Sequence, residues 1–336
     1  MRRPSRFGHR VVYYRSLLLS RVSGEGFCVF ITGFVLTLGM SLPSSFGLET
    51  AADLVLGQVD FTRNGTNGGF GSTNRIGLNV PFAVVLDRSV VPNRVYVSDY
   101  NNNRVLGWGN ISALRNGAPA DLVIGQPNFS TGSCNTGGIN AGTLCVPMGL
   151  AVDGAGNLYV ADRGNSRILV YFTPFSSDGI ADRVLGQTNF TSGGCSNPSS
   201  SSAAAGSLCA PVGVAVDSSG NVYAADMGNN RALEFDTPLG TDAIADRVFG
   251  QSNFTGRAAG PGPVGLNQPY AVEVDGTGNV FAADFGNNRV LEYNTPLSSD
   301  SYADRVFGQP NFTSTSENTG GVSAGSLRNP SGVTVD

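Results

Sequence analysis

The stretch VADRGNSRILVYF (Val160–Phe172) has two apolar runs around a turn of Gly, Asn and Ser. Apolar runs that flank such a turn predict a tight antiparallel hairpin. The pattern recurs along the chain, and every copy keeps an Asp before the turn and an Arg after it. The other copies are VSDYNNNRVLGW (Val97–Trp108), AADMGNNRALEF (Ala224–Phe235) and AADFGNNRVLEY (Ala282–Tyr293). The sequence therefore predicts a tandem array of similar hairpins.

A second motif extends each repeat. It reads ADRVLGQTNF at Ala181–Phe190, and its Gly-Gln pair returns at intervals of 58 to 68 residues. One whole repeat then contains four strand-like runs. They are PVGVAVD (Pro211–Asp217), NVYAAD (Asn221–Asp226), RALEF (Arg231–Phe235) and DRVFGQ (Asp246–Gln251). Four short antiparallel strands in tandem units predict the blades of a β-propeller. A β-sandwich is the alternative, but it would not require near-identical units.

The strand and hairpin of each unit resemble the NHL repeat. The resemblance covers Pro147–Phe172, Pro211–Phe235 and Pro269–Tyr293, with a partial copy at Pro330–Asp336. The copy at Pro81–Trp108 departs from the pattern through a longer turn, and a long insert follows every Gly-Gln motif. The resemblance implies an all-β fold: a β-propeller of NHL-type four-stranded blades, which this family usually arranges six to a ring.

The two ends of the chain do not match a closed ring. The repeat region starts with the outermost strand ADLVLGQ, and it ends on PSGVTVD, the first strand of a further unit. We therefore expect residues 48–336 to hold four full blades and the start of a fifth, an incomplete part of a six-bladed ring. The expectation includes an unpaired N-terminal strand and exposed apolar surface near Pro330.

Residues 1–47 differ from the rest. Six arginines lie between Arg2 and Arg21, and FCVFITGFVLTLGMSL (Phe27–Leu42) then runs without a charge towards the small residues Ser45 and Gly47. A basic segment, a short apolar core and a small-residue site predict a secretory signal peptide. An uncleaved membrane anchor is the alternative. We thus expect a secreted, periplasmic or cell-surface protein.

The net charge of residues 48–336 limits the classes of partner that the chain can bind. Residues 48–336 contain 15 Arg, no Lys and 24 acidic residues, a net charge near −9. Phosphate backbones need a basic stripe, so this composition excludes nucleic acid. We expect an unknown protein, peptide or glycan as the partner, and membrane contact only through an uncleaved N-terminal segment.

The number and position of the histidines help to distinguish a binding protein from an enzyme. Related six-bladed propellers include an amidating lyase and a streptogramin lyase, and both rely on His. The only histidine here is His9, inside the predicted signal peptide. We therefore predict a non-catalytic scaffold with no catalytic residue and no cofactor. The alternative is a propeller enzyme, a lyase or hydrolase, whose catalytic residues lie partly in further C-terminal blades.

Each hairpin carries an Asp and an Arg across its turn. An Asp at a strand end can accept backbone N–H groups, and an Arg can fork onto a carboxylate or onto a carbonyl of a neighbouring blade. We predict a structural role for these pairs, with ligand binding as the alternative. The pairs are Asp99/Arg104, Asp162/Arg167, Asp226/Arg231 and Asp284/Arg289.

Two further repeated residues have simple structural interpretations. The Asp that closes each first strand is predicted to be a turn acceptor and not a metal ligand (Asp87, Asp153, Asp217, Asp275 and Asp336). The Asn of each NFT or NFS sequon is predicted to be a turn and packing residue (Asn128, Asn189, Asn253 and Asn311).

The cysteines beyond Cys28 fall in two inserts. Cys134 and Cys145 share one insert, and Cys195 and Cys209 share the next, whereas the other inserts lack both members of the pair. Cysteines gained or lost together predict a disulfide within each insert. A zinc site would need CxxC spacing or histidine partners, and neither is present.

Overall fold

The computed structural model describes residues 17–22, 26–31, 34–36, 52–195, 203–240, 243–296 and 301–335. For the three segments before residue 37 it describes the backbone alone. The predicted boundary between residues 1–47 and 48–336 is a statement about processing, and it stays a prediction.

The described chain is all-β and contains five four-stranded antiparallel sheets. The N-terminal sheet is β1 (Leu17–Val22), β2 (Gly26–Ile31), β3 (Phe34–Leu36) and β4 (Leu54–Leu56). Blade I is β5 (Pro81–Asp87), β6 (Arg94–Asp99), β7 (Arg104–Trp108) and β8 (Leu122–Ile124). Blade II is β9 (Pro147–Val152), β10 (Leu158–Asp162), β11 (Arg167–Tyr171) and β12 (Arg183–Leu185). Blade III is β13 (Val214–Val216), β14 (Val222–Asp226), β15 (Arg231–Phe235) and β16 (Arg247–Phe249). Blade IV is β17 (Pro269–Val274), β18 (Val280–Asp284), β19 (Arg289–Tyr293) and β20 (Arg305–Phe307).

Six short 3-10 turns lie between strands of the described chain. Four of them follow the second strand of blades I to IV, at Tyr100–Asn102, Arg163–Asn165, Met227–Asn229 and Phe285–Asn287. Two more lie at Thr66–Gly69 and Ile111–Ala113. No helix within the described ranges has the length and apolar character needed to cross a bilayer.

Strand order in blades I to IV follows the sequence, as the repeat predicts. Each blade runs from its first strand at one edge to its fourth at the other, and every neighbouring pair is antiparallel. The fourth strand is shorter than the DRVFGQ motif, since only Arg247–Phe249 pairs in blade III. The prediction of four-stranded NHL-type blades is confirmed.

The N-terminal sheet corrects one expectation. Leu54–Leu56 is not unpaired, because Leu17–Leu19 pairs with it in antiparallel register. The strand order of this sheet is β3-β2-β1-β4, so its first three strands run in the reverse of the order seen in the blades. The earlier expectation treated residues 1–47 as absent from the fold and so left β4 without a neighbour.

The core lies between successive sheets. Alternate residues of each strand face opposite sides, so one blade contributes to two adjoining clusters. Between blades III and IV, Tyr223 and Phe249 of blade III pack with Leu291 and Tyr293 of blade IV, and all four have no exposed surface. First strands approach most closely: a Cβ on Gly213 would lie 2.8 Å from Cα of Ala271. Glycine is required where backbones meet at this distance.

The far side of blade IV is more open. Phe307 is 40% exposed, whereas the equivalent Phe249 of blade III has no exposed surface. Residues 330–333 are half-buried, and residues 330–335 form no paired strand. Phe307 is thus an exposed apolar residue on the fourth strand of blade IV, and the expected apolar surface near Pro330 stays a prediction.

Candidate functional site

Every blade carries the same buried ion pair at its second turn. In blade II, Nε of Arg167 lies 2.7 Å from Oδ2 of Asp162, and neither side chain has exposed surface. The chain enters the turn from β10 and leaves it into β11, with Ser166 in the left-handed region (φ 54°). The other pairs, Asp99/Arg104, Asp226/Arg231 and Asp284/Arg289, have the same 2.7 Å distance and no exposed surface.

The arginine also binds two inserts. Nη1 of Arg167 donates to the carbonyl of Phe190 at 2.5 Å, at the start of the insert that follows blade II. Nη2 donates to the carbonyls of Asn140 (3.0 Å) and Thr143 (2.8 Å) in the insert that precedes it. The same arrangement recurs for Arg104 with Phe129, Asn74 and Gly77, for Arg231 with Phe254, Ala204 and Ser207, and for Arg289 with Phe312, Gly262 and Gly265.

The aspartate completes this arrangement. Oδ1 of Asp162 accepts the backbone N–H of Cys145 at 2.7 Å, and Oδ2 accepts the side-chain amide of Asn165 at 2.8 Å. Desolvation raises the pKa of Asp162, and the charge of Arg167 and these donors oppose that effect. Asp99, Asp226 and Asp284 likewise accept the backbone N–H of Asn79, Cys209 and Asn267. Each pair thus ties the end of one insert to a blade.

The eight predicted site residues of the Asp/Arg pairs all make contacts inside the fold. All are buried, and their polar groups are directed at backbone and side chains of the same fold. The arrangement joins turn, preceding insert and following insert in one network. A ligand could touch these residues only after an insert moves away, so direct ligand binding by them stays a prediction.

Both predicted cysteine pairs are disulfides. The Cα atoms of Cys134 and Cys145 lie 4.5 Å apart, and those of Cys195 and Cys209 lie 4.1 Å apart. Each bridge closes the body of its insert just before the next first strand. The second cysteine of each pair is also the residue whose N–H binds the buried aspartate. Disulfide and ion pair therefore restrain the same point of the insert.

A glutamine that the sequence reasoning did not assign restrains the start of each insert. Nε2 of Gln126 donates to the carbonyls of Asn103 and Ser133, both at 2.8 Å. The preceding Gly125 has a φ of +86°, and a Cβ there would lie 2.4 Å from Leu144. The available signal was the unchanged Gly-Gln pair. Gln187, Gln251 and Gln309 make the same two contacts.

A second residue that was not assigned stabilises the opposite end of each blade. Oδ2 of Asp182 accepts the backbone N–H of Phe172 at 2.7 Å, which closes the loop between the third and fourth strands. The unvarying Ala-Asp before each fourth strand was the available signal. Asp121, Asp246 and Asp304 bond to Gly109, Asp236 and Asn294 in the same way.

The aspartates that close the first strands are turn acceptors, as predicted. Oδ1 of Asp217 accepts the N–H groups of Ser219 (2.8 Å) and Asn221 (2.9 Å), and Oδ2 accepts the side-chain amide of Asn221. Asp153 and Asp275 do the same, and Asp87 accepts from Ser89. Asp336 lies outside the described residues. Within those residues no cluster of His, Cys, Asp and Glu could hold a metal ion.

The sequon asparagines also act in turns. Oδ1 of Asn253 accepts the hydroxyl of Thr255 at 2.7 Å and the N–H of Gly256 at 3.0 Å. Asn128, Asn189 and Asn311 accept the N–H group two residues later.

Neighbouring blades are joined by one further bond. The left-handed Asn103 of the blade I turn accepts, through Oδ1, the N–H of Val146 at 2.8 Å, just before the first strand of blade II. Ser166, Asn230 and Asn288 bind Ala210, Gln268 and Asn329 in the same way.

These contacts place the inserts and the second turns on one surface, which we call the insert face. It consists of residues 59–80, 127–146, 188–195, 203–210, 252–268 and 310–329 with the turns 100–103, 163–166, 227–230 and 285–288. Contacts such as Gly164 N–H to the carbonyl of Cys145 (2.9 Å) join the turns to the inserts. The insert face is the candidate binding surface, because its loops are both long and restrained.

The NHL repeat family model matches residues 144–171 and 208–231. No curated protein sequence matches the chain significantly. Among solved structures, virginiamycin B lyase from Staphylococcus aureus is similar at 13% identity and a TM-score of 0.40, over 68% of this chain and 56% of that one. Kuenenia stuttgartiensis hydrazine synthase is similar at 13% identity and a TM-score of 0.43, over 70% and 51%. The WD40 repeats of RRP9 are similar at 11% identity and a TM-score of 0.43, over 71% and 52%.

The chain spans little more than half the length of these solved structures. The two matched segments fall on blades II and III. The chain therefore carries NHL repeats, and they form blades of the β-propeller type.

Proposed function

We propose that this chain is a non-catalytic binding scaffold that acts outside the cytoplasm and presents its insert face to a protein, peptide or glycan. The observation that carries the proposal is the way in which the inserts are held. Arg167 alone binds the carbonyls of Asn140, Thr143 and Phe190, in two different inserts. A loop that is ordered before it meets a ligand loses less conformational entropy on binding.

The disulfides support the proposed compartment. Disulfides form and persist in oxidising environments such as the periplasm and the cell exterior. Cys134–Cys145 and Cys195–Cys209 both lie in the inserts. The predicted signal peptide agrees with this compartment and has its own test, the N-terminal sequence of the exported protein.

The repetition of the restraints supports a surface and not a single pocket. The ion pair recurs in four blades with the same 2.7 Å distance, and it anchors successive inserts in the same manner. Equivalent anchors keep neighbouring loops in fixed positions relative to one another. Extended ligands such as polymers or protein surfaces require this kind of preformed, multi-loop face.

A matched pair of surface variants tests the proposal. The full chain would be screened against displayed peptides, secreted proteins and immobilised glycans. Ser133→Arg adds a charge to an exposed position of the insert face, and Ser177→Arg adds the same charge to an exposed loop between the third and fourth strands. We expect Ser133→Arg to weaken a selected ligand at least about tenfold and Ser177→Arg to leave it unchanged.

Two results would contradict the proposal. One is a ligand whose binding responds to Ser177→Arg and not to Ser133→Arg, because the contact would then lie off the insert face. The other is turnover of a peptide or lactone substrate by the purified chain, which would favour the lyase or hydrolase alternative.

A further inference from the structure

We propose that the insert face binds a neutral polysaccharide, and that the stacked rings of Tyr270 and Phe285 form its aromatic subsite. This inference rests on the proposed function, because it names the ligand class of the same face. Three independent features of the insert face support it: the aromatic pair, the side-chain amides that closely precede Tyr270 and the distribution of charge.

The aromatic pair lies where the first strand of blade IV begins, at the edge of the insert face. Tyr270 follows the proline that starts the first strand of blade IV, and Phe285 opens the second turn of the same blade. Their ring centroids are 4.3 Å apart and their planes differ by 20°, so the rings are stacked. Both residues are half-buried. The face of an aromatic ring carries partial negative charge, which attracts the polarised C–H groups of a sugar ring.

Two residues with side-chain amides closely precede Tyr270 in the chain. Gln268 is exposed two residues before Tyr270, and Asn267 is half-exposed beside it. The backbone N–H of Gln268 donates to Oδ1 of Asn230 at 2.8 Å, which fixes the backbone at this position relative to blade III. An amide both donates and accepts hydrogen bonds, as does a sugar hydroxyl. The site thus combines an apolar platform with groups that match a neutral polyol.

Charge is strongly segregated in the chain. The insert face carries five arginines against two carboxylates, apart from its buried ion pairs (Arg63, Arg75, Arg163, Arg257 and Arg328 against Asp60 and Glu317). The remainder of residues 48–336, again without those pairs, carries six arginines against eighteen carboxylates. Residues 127–146 and 188–210 contain no charged residue at all. The two uncharged inserts let this part of the insert face meet an uncharged polymer without desolvation of charge.

A protein partner fits the same surface less well. Protein interfaces concentrate their binding energy in buried Trp, Tyr, Arg and other large anchors. The inserts at 127–146, 188–210 and 252–268 contribute none of the exposed large hydrophobic residues in the described part of the chain. On the insert face such residues are Phe61, Phe70 and Val80 in the insert at 59–80, and Val322 in the insert at 310–329.

Affinity electrophoresis tests the inference directly. The full chain, with its disulfides formed, would be run in native gels that contain dextran, glucomannan, arabinoxylan or polygalacturonate. We expect at least one of the neutral polymers to retard the wild-type chain. Tyr270→Ala and Phe285→Ala should each weaken that retardation at least about tenfold in apparent dissociation constant. Tyr302→Ala is the matched control, since Tyr302 is 57% exposed in the loop before the fourth strand.

The outcomes separate this inference from the proposed function. Retardation by polygalacturonate alone, or equal loss in all three variants, would overturn the polysaccharide subsite. Peptide or protein binding that responds to Ser133→Arg, without retardation by any of the polymers, would also overturn it and leave the binding scaffold intact. If neither polymer nor peptide binding responds to changes on the insert face, both proposals fail.

Discussion

Nε of Arg167 lies 2.7 Å from Oδ2 of Asp162, and this contact links the NHL-type hairpin to the inserts around it. Because both side chains are fully buried, neither charge can be hydrated once its partner is removed. Three further N–H groups of the guanidinium donate to insert carbonyls. One side chain therefore determines the position of two loops.

Arg167→Met should destabilise the protein strongly. The change removes three carbonyl contacts and leaves the Asp162 carboxylate buried without its counterion. Loss of one partner of a buried pair costs about 3–5 kcal/mol. Urea denaturation of the variant and of wild type would measure this difference in the free energy of unfolding. Arg163→Met, four residues earlier in the same turn and half-exposed, is the control and should change stability by at most about 0.5 kcal/mol. Equal effects of the two changes would refute the structural role of the pair.

Removal of a disulfide should lower the free energy of unfolding, because the unfolded chain then regains the conformational entropy that the closed loop had removed. For Cys134→Ser/Cys145→Ser, with a sequence separation of 11, we expect a loss of about 3 kcal/mol. Cys195→Ser/Cys209→Ser, with a separation of 14, should cost a similar amount. Thermal unfolding with and without a reductant would show it, and the quadruple serine variant serves as the control that no longer responds to reductant. An unchanged melting temperature for both double variants would contradict the prediction.

Gly125→Ala and Gly137→Ala separate backbone strain from steric conflict. Both residues have a positive φ, +86° and +85°, but a Cβ on Gly125 would meet Leu144 at 2.4 Å, whereas Gly137 has nothing within 4 Å. Left-handed backbone costs an L-residue about 1–2 kcal/mol, and overpacking adds about 1–3 kcal/mol. We therefore expect a larger loss for Gly125→Ala in urea denaturation. Equal losses would show that Leu144 moves aside freely.

Glu234 should make stability depend on pH. Burial raises the pKa of Glu234 to about 7, and the nearby carboxylates Asp246 and Asp236 add to the effect. A Glu in the unfolded chain ionises near pH 4.3. Because Glu234 in the folded protein keeps its proton to a higher pH, the free energy of unfolding falls as the pH rises from about 4 to 7. Below that window the neutral side chain carries no penalty. Above pH 7 the free energy of unfolding is lower by about 3 kcal/mol than it is near pH 4.

Glu234→Gln removes this dependence, because glutamine stays neutral. The variant and wild type should have similar free energies of unfolding near pH 4.5, and the variant should be the more stable at pH 8. Urea denaturation across this range gives the difference, in which the titrations common to both proteins cancel. A difference that is constant with pH would contradict the raised pKa.

The fold followed from local patterns. Alternating residues and turn chemistry predict the hairpin at Val160–Phe172, and the repeat places each fourth strand, because both signals are contained within a few residues. The disulfides were predictable for a related reason: Cys134 and Cys145 occur together in one insert and are both missing from others.

The restraints on the inserts were not predictable to the same degree. That Arg167 binds the carbonyl of Phe190 depends on the path of an insert, and no periodic signal encodes that path. The role of Gln126 was hidden for the same reason, although its invariance in every repeat marked it. The pairing of Leu54–Leu56 was missed because residues 17–22 were assigned to a signal peptide.

Hydrogen exchange at the backbone amide of Cys145 tests the central claim most directly. This N–H donates to Oδ1 of Asp162 at 2.7 Å, so it reports whether the insert is held before any ligand arrives. In the unliganded wild-type chain we predict slow exchange at this amide, and much faster exchange after Arg167→Met at a urea concentration where the variant remains folded. Fast exchange in the wild-type chain would show that the inserts are not preformed, and it would contradict the account.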